Sequence, residues 1–283
     1  VPENNAAAST ARTLLASSPL PRLEVHMLLE HVLGVPRAWL IAHDTDTLTP
    51  AQTRDFLHWQ TRRLAGEPMA YLLGKREFMG HNFHVAPGVL IPRPETELLV
   101  EHALTVLAAT QSPPPLRVLD LGTGSGAIAI SLALARPDIS VTATDASPQA
   151  LAIATDNAAR LGANVAFHQG DWYAALPVGT PPFDVIVSNP PYIAGNDPHL
   201  MQGDLRFEPA LALASGADGL DAIGHIIARA PTWLTATGQL WLEHGWQQAQ
   251  AVQKLLRHAG FRQVGSLPDL AGILRITGGE VSL

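Results

Sequence analysis

The chain has 283 residues, 47% of them hydrophobic, and a formal net charge of -7, which is enough apolar material for a sizeable core and suits two domains. That balance leaves no global basic footprint for long-range nucleic-acid attraction, and the absence of cysteine excludes disulfides, thiolate nucleophiles and thiolate metal sites. The longest apolar stretch, Ala127 to Ala135, is too short to span a bilayer, and Val1 to Ala6 has no basic segment leading into an apolar one, so the expectation is a cytoplasmic chain with no membrane span.

Residues 1–75 read as short helices. Val25, Leu28, Leu29, Val32 and Leu33 form an apolar stripe at helical spacing, with Pro21 near its start and Gly34 after its end. Thr49-Pro50-Ala51-Gln52 is a capping box with proline at the first helical position, opening a helix that stops near Gly66. Together these predict a small N-terminal helical bundle. Residues 76–90 read as a β-hairpin linker, with a Gly and Asn turn between Phe78 and Phe83. His81 and His84 make a lone H-x-x-H with no third ligand nearby, so no metal site is assigned. A helix carrying Leu99, Ala103, Val106 and Leu107 on one face follows Ile91-Pro92-Arg93-Pro94-Glu95-Thr96-Glu97.

From residue 117 strand and helix alternate, as in a doubly wound, mostly parallel sheet. Arg117 to Leu121 is the first strand, and Gly122-Thr123-Gly124-Ser125-Gly126 turns into an apolar helix. The second strand ends at Asp145, the third at Gly170-Asp171-Trp172 and the fourth, Phe183 to Ser188, at Asn189-Pro190-Pro191-Tyr192. A loop from Ala194 to about Asp218 has the length of a lid or binding segment. A helix near Ala222 to Leu234, a strand from Gly238 to Glu243, a helix from Gln247 to Ala259 and two closing strands complete the chain.

Ligands of open α/β sheets bind beyond the carboxyl ends of the strands, and four candidates fall there. The glycines let a ligand approach the backbone, Asp145 is placed to accept both hydroxyls of a ribose, Trp172 to cover an adenine face, and Asp171 to accept from its exocyclic amine. An adenosine fits. The glycine spacing alone also satisfies a loose dinucleotide fingerprint, so a nicotinamide cofactor stays open on that stretch. The fourth strand separates the readings, because Asn-Pro-Pro-Tyr suits a methyl acceptor that is a planar, weakly nucleophilic nitrogen and has no particular use in hydride transfer.

The order Ile91 to Glu97, then Asp120 to Ala129, then Asn189-Pro190-Pro191-Tyr192-Ile193, then Phe207-Glu208-Pro209, resembles the HemK/PrmC family, over about Pro21 to Ala271. The resemblance implies a Rossmann-like class I methyltransferase with a seven-stranded sheet in residues 91–283. It further implies S-adenosyl-L-methionine as cofactor, and transfer of its methyl to the glutamine amide in the Gly-Gly-Gln motif of class 1 peptide chain release factors. Residues 1–75 are then the substrate-recognition domain, and the protein a monomer without nucleic-acid or membrane partners. The cofactor side comprises Gly122, Thr123, Gly124, Ser125, Gly126, Asp145, Asp171, Trp172 and Asn189; the substrate side comprises Asn189, Pro190, Pro191 and Tyr192, with Asn189, Pro190 and Tyr192 catalytic. By the same resemblance the Asn189 oxygen and the Pro190 carbonyl accept the two amide N–H bonds. Asn-Pro-Pro-Tyr is shared with DNA and RNA adenine methyltransferases, which keeps that function as an alternative, beside a non-catalytic adenosine-binding module. One departure from the family pattern stands at Asp269-Leu270-Ala271-Gly272, where Ile273-Leu274 replaces a charged pair.

Overall fold

In the computed structural model residues 9–281 are described, and the chain divides into two compact units between Gly74 and Lys75. The first eight residues, which include the start of the expected helical domain and the segment read for a leader, lie outside the described residues.

The N-terminal unit contains α1 (Ala11–Ser17), α2 (Arg22–Leu33), α3 (Arg37–Ala42), α4 (Pro50–Leu64) and α5 (Met69–Leu73). The expected capping box is present: Thr49 Oγ1 accepts from the Gln52 N–H and the Gln52 side chain accepts from the Thr49 N–H, at 3.2 and 2.9 Å. Gly34 ends α2 in the left-handed conformation that a Cβ would strain, as the sequence predicts. Val25, Leu28 and Leu29 of the predicted stripe are buried with Ala11, Leu14, Leu40, Phe56 and Leu72.

The second unit opens with β1 (Lys75–Phe78) and β2 (His81–His84), an antiparallel hairpin. Its turn is Met79-Gly80, both with positive φ; Asn82, expected in the turn, lies instead in β2. Two carboxylates hold this turn, Glu97 accepting from the Met79 N–H and Glu77 from the Gly80 N–H, each at 2.7 Å. Then come α6 (Glu97–Ala109), β3 (Arg117–Leu121), α7 (Ala127–Ala135), β4 (Ser140–Asp145), α8 (Pro148–Leu161), β5 (Val165–Gln169) and β6 (Phe183–Ser188). Short α9 (Ala210–Leu213), α10 (Asp221–Arg229), β7 (Leu234–Glu243), α11 (Ala249–His258), β8 (Phe261–Pro268) and β9 (Leu274–Val281) follow.

The sheet order is β5-β4-β3-β6-β7-β9-β8, with β9 antiparallel to both of its neighbours and the remaining pairs parallel. Strands β3 and β6 and the second half of β7 are largely buried, as expected for strands with helices on both faces. From β3 the chain winds through β4 to β5, then returns to place β6 on the other side of β3. The switch point therefore lies between the carboxyl ends of β3 and β6, where an open α/β sheet offers its crevice. Three boundaries differ from the sequence reading. The helix expected through Leu234 ends at Arg229, the strand expected from Gly238 begins at Leu234, and the last strand, which the sequence places near Ile273 to Thr277, runs on as β9 to Val281. The first stretch of β7 is polar and partly exposed, and a register shift separates it from the buried portion, so the apolar pattern announces only the second half.

Candidate active site

Five strand ends supply the site. After β3 the turn Gly122 to Gly126 carries positive φ at Gly122, Gly124 and Gly126, the conformation that glycine adopts without penalty. Its backbone is pinned to β4: the Gly122 and Thr123 N–H groups both donate to the Thr144 carbonyl, at 2.9 and 3.0 Å. Thr123 and Ser125 are buried; the Thr123 hydroxyl donates to Asp120 at 2.6 Å, and the Ser125 carbonyl accepts from Asn157 at 2.9 Å. What these two residues offer a ligand is backbone. Burial raises the Asp120 carboxyl to about 7, and the charge of Asp145 adds to the shift while the bond from Thr123 opposes it. Asn157 also pairs with both backbone groups of His84, so one buried amide ties the hairpin to the glycine turn.

Asp145 ends β4 with its carboxylate fixed by two backbone donors, Gly124 N–H on Oδ2 and Ser147 N–H on Oδ1, both at 2.8 Å. Each oxygen keeps capacity for a further donor, the arrangement that a vicinal diol requires. Trp172 follows β5 with φ of 47°, unusual for a bulky residue, and its ring edge stands 3.1 Å from where a Cβ on Gly122 would be. The ring thus covers the glycine turn. Asp171 beside it is exposed, and its carboxylate makes no hydrogen bond among the described residues.

Ser188 closes β6 by donating to the Leu121 carbonyl at 2.6 Å, which locks the ends of β3 and β6 together just before Gly122 and Asn189. Pro190 is buried, while Asn189, Pro191 and Tyr192 are half-buried. Two residues that the sequence reading left without a role organise this turn. Glu243, buried at the end of β7, accepts from the Thr96 hydroxyl at 2.6 Å and from the Tyr192 hydroxyl at 3.2 Å. The Thr96 oxygen in turn accepts from the Asn189 NH2 group at 3.1 Å. Because an ionised carboxylate can only accept, Thr96 must give Glu243 its proton and take one from Asn189. That direction of donation fixes the Asn189 amide and turns its Oδ1 away from Thr96. Burial raises Glu243 to about 7, with the bonds from Thr96 and Tyr192 opposing the shift. Tyr192 is pushed up as well, first by burial and then by the Glu243 charge, and it stays a neutral donor. Its carbonyl accepts from Gln248 at 3.0 Å, and a Cβ on Gly219 would lie 2.1 Å from the same oxygen.

The long loop is a folded excursion. A bridge between Ile193 and Ala214 closes its base. Glu208 anchors its far part, accepting from the Ile91 N–H at 3.0 Å and pairing with the Arg93 guanidinium. Arg93 and Glu208 therefore hold the loop to the segment before α6. Glu97 caps the hairpin turn. Among the described residues no group of three or more His, Asp or Glu side chains is arranged to hold a metal ion.

Comparison with known proteins gives the family and the fold. A family model described as "Methyltransferase small domain" matches residues 95–210, and one described as "PrmC N-terminal domain" matches residues 6–74. A release factor glutamine methyltransferase from Bordetella pertussis is 60% identical over 95% of this chain and 98% of its own length. The protein of the same name from Burkholderia pseudomallei is 52% identical over 96% of each chain. Among solved structures, a methyltransferase from Pyrococcus furiosus superposes with a TM-score of 0.52 at 18% identity, over 80% of this chain and 99% of that one. The 16S rRNA N2 G1207 methyltransferase of T. thermophilus superposes with a TM-score of 0.54 at 20% identity, over 73% of this chain and 49% of that one. At such identities these two speak for the class I methyltransferase fold alone. Near-full-length identity to proteins of one name speaks for more: this chain belongs to the release factor glutamine methyltransferase family.

Proposed function

We propose that this protein transfers the methyl group of S-adenosyl-L-methionine to the side-chain amide nitrogen of the Gly-Gly-Gln glutamine in class 1 peptide chain release factors. Kinship at 60% identity over nearly the whole chain supports the reaction. The observation that carries its assignment to the Asn189 turn is the Asn189 amide, whose NH2 is committed to Thr96 so that its oxygen is left for an acceptor amide. In this reading residues 1–75 recognise the release factor, residues 76–90 link, and residues 91–283 perform the transfer. The protein acts as a cytoplasmic monomer without a nucleic-acid partner, the last point supported by its net charge of -7.

The residues present suit the cofactor. A Cβ built on Gly124 meets no atom within 4 Å, so the turn faces open space beside the Asp145 carboxylate. Gly122 to Gly126 receive the cofactor along their backbone, Asp145 takes the ribose hydroxyls, Trp172 covers the adenine, and Asp171 accepts from its amino group. When bound, S-adenosylmethionine supplies an electrophilic methyl on a sulfonium sulfur. An amide nitrogen is a weak nucleophile, because its lone pair is delocalised into the carbonyl. The site answers by position and electrostatics. Asn189 Oδ1 and the Pro190 carbonyl accept the two N–H bonds of the glutamine amide, orienting the nitrogen and favouring the positive charge it gains. Pro191 cannot donate a competing N–H, and Tyr192 lies against the amide plane. No strong base is needed, since the methylated amide is acidic enough to release its proton to water.

Labelled S-adenosylmethionine with purified release factor should label the glutamine, while a glutamine-substituted factor and nucleic acid stay unlabelled. Label that ignored the glutamine would overturn the substrate. Asn189→Ala should keep cofactor affinity roughly intact and lose about 10³-fold in kcat, the scale for removing a preorganised polar contact at a charge that develops in the transition state. Near-normal turnover by that variant would overturn the clamp.

A further inference from the structure

The N-terminal unit contains a cavity of about 350 Å³, lined by Arg22, His26, Arg37, Leu40, Ile41 and Asp44. Its charges are one-sided. The Asp44 carboxylate is already held by Arg12 through two bonds of 2.9 and 3.0 Å. Arg22 and Arg37 are exposed and have no ion-pair or hydrogen-bond partner among the described residues. Between them His26 is 6% exposed, and its Nδ1 is shielded from solvent with no hydrogen-bond partner. Burial first, then the positive charges of Arg37 and Arg22, hold the His26 imidazole below its ordinary pKa against a smaller pull from Glu30, so the ring is neutral near pH 7.

Two guanidiniums without partners at one opening define the ligand it would take as an anion. The walls narrow the choice. Leu40 is buried and Ile41 is 61% exposed, so the opening presents hydrocarbon as well as charge. A small inorganic ion has no use for such a wall, whereas the methylenes of an acidic side chain pack on it while the carboxylate reaches the guanidiniums. We propose that this cavity is a docking site for an aspartate or glutamate side chain on the surface of the protein substrate. The proposal rests on the release factor being that substrate and adds the chemistry by which the N-terminal unit holds it. In the occupied state Arg22 and Arg37 donate to the carboxylate from two sides, beside the neutral His26 ring that lines the cavity between apolar wall and charge.

The test is steady-state methylation of purified release factor by the full chain carrying Arg22→Glu with Arg37→Glu, alongside Arg22→Gln with Arg37→Gln. Both positions are solvent-exposed, and glutamine preserves helix propensity there. KM for the release factor should rise about tenfold or more in the charge-reversed protein and by less in the neutral one, because truncating charge partners at an interface weakens binding. Turnover at saturating release factor and affinity for S-adenosylmethionine should stay within about twofold, since neither is an interface term. A release factor with a surface acid replaced by lysine should restore KM of the charge-reversed enzyme at one position and not at others. An unchanged KM in both variants, or a fall in kcat without a change in KM, would overturn the docking site. A wild-type enzyme that leaves release factor unlabelled would instead overturn the functional reading, and this proposal with it.

Discussion

At the scale of single residues the proposed clamp depends on the contact that orients Asn189. An asparagine amide presents an acceptor on one side and donors on the other, and only the acceptor side helps a nitrogen that is gaining positive charge. Thr96 and Glu243 make that choice, through bonds of 3.1 and 2.6 Å. Thr96→Val keeps the shape and removes the hydroxyl, so kcat should fall roughly tenfold to a hundredfold with little change in cofactor affinity, the scale of one buried polar group left unpaired. Thr96→Ser should restore most of the loss; a serine variant as poor as valine would reduce Thr96 to a packing role. Glu243 adds a pH dependence. As pH falls through about 7 the carboxyl gains a proton, can donate as well as accept, and no longer dictates the direction of the chain, so kcat should fall with it. Glu243→Gln should show low kcat without that inflection. Stability runs the other way. Between the ordinary 4.5 and about 7 the folded protein holds a proton on Glu243 that the unfolded chain has released, so this group's contribution to stability declines as pH rises through that window. Glu243→Gln removes the buried charge, and its Tm at pH 8 should be no lower than that of wild type. Asp120 also sits near 7, but it holds Thr123 in the glycine turn, so its titration belongs in cofactor affinity.

At the scale of elements, strand ends were legible where a local signal marked them. Gly122, Asp145, Trp172 and Asn189 each stand where an apolar run stops, and the structure gathers them at one edge of one sheet. Glu243 carried the same signal, a lone acid at the close of Leu240-Trp241-Leu242, and reading it as Asp145 was read would have found it. Its partner was not legible: Thr96 lies 147 residues away, and nothing in the spacing of either residue announces the pairing. The excursion from 194 to 218 was legible as a long loop but not as a folded one, because its order comes from Glu208 reaching Ile91 and Arg93 rather than from periodicity. Glu208→Ala should leave the buried Ile91 N–H and the Arg93 guanidinium without their acceptor and release the loop. Limited proteolysis should then cut within 194–218 at a protease level that spares wild type. Equal resistance would mean that the bridge at Ile193 and Ala214 holds the segment alone.

At the scale of the whole molecule, sheet order is what makes these separate ends one site. The alternation of strand and helix predicts a doubly wound sheet, yet only the observed order, with β6 beside β3, brings Asn189 next to the glycine turn. Periodicity specifies faces, while order is decided by packing between elements distant in sequence, so the order was not legible in the strand pattern. The same convergence predicts how ligand binding stabilises the fold. A cofactor held, as proposed, at the ends of β3, β4 and β5 would bind only when those strands are assembled, so its binding energy would be added to the stability of the sheet. At a hundredfold excess over Kd that addition is about 2.7 kcal/mol. For a unit of this size, at roughly 2–4 °C per kcal/mol, the sheet's transition should rise by roughly 5–10 °C. Asp145→Ala should lose most of that rise and keep a ligand-free Tm close to wild type, because the carboxylate is half-buried and its two partners, the Gly124 and Ser147 N–H groups, can turn to water. A full rise in the variant would move the ribose away from the end of β4 and leave the glycine turn to hold the cofactor without it.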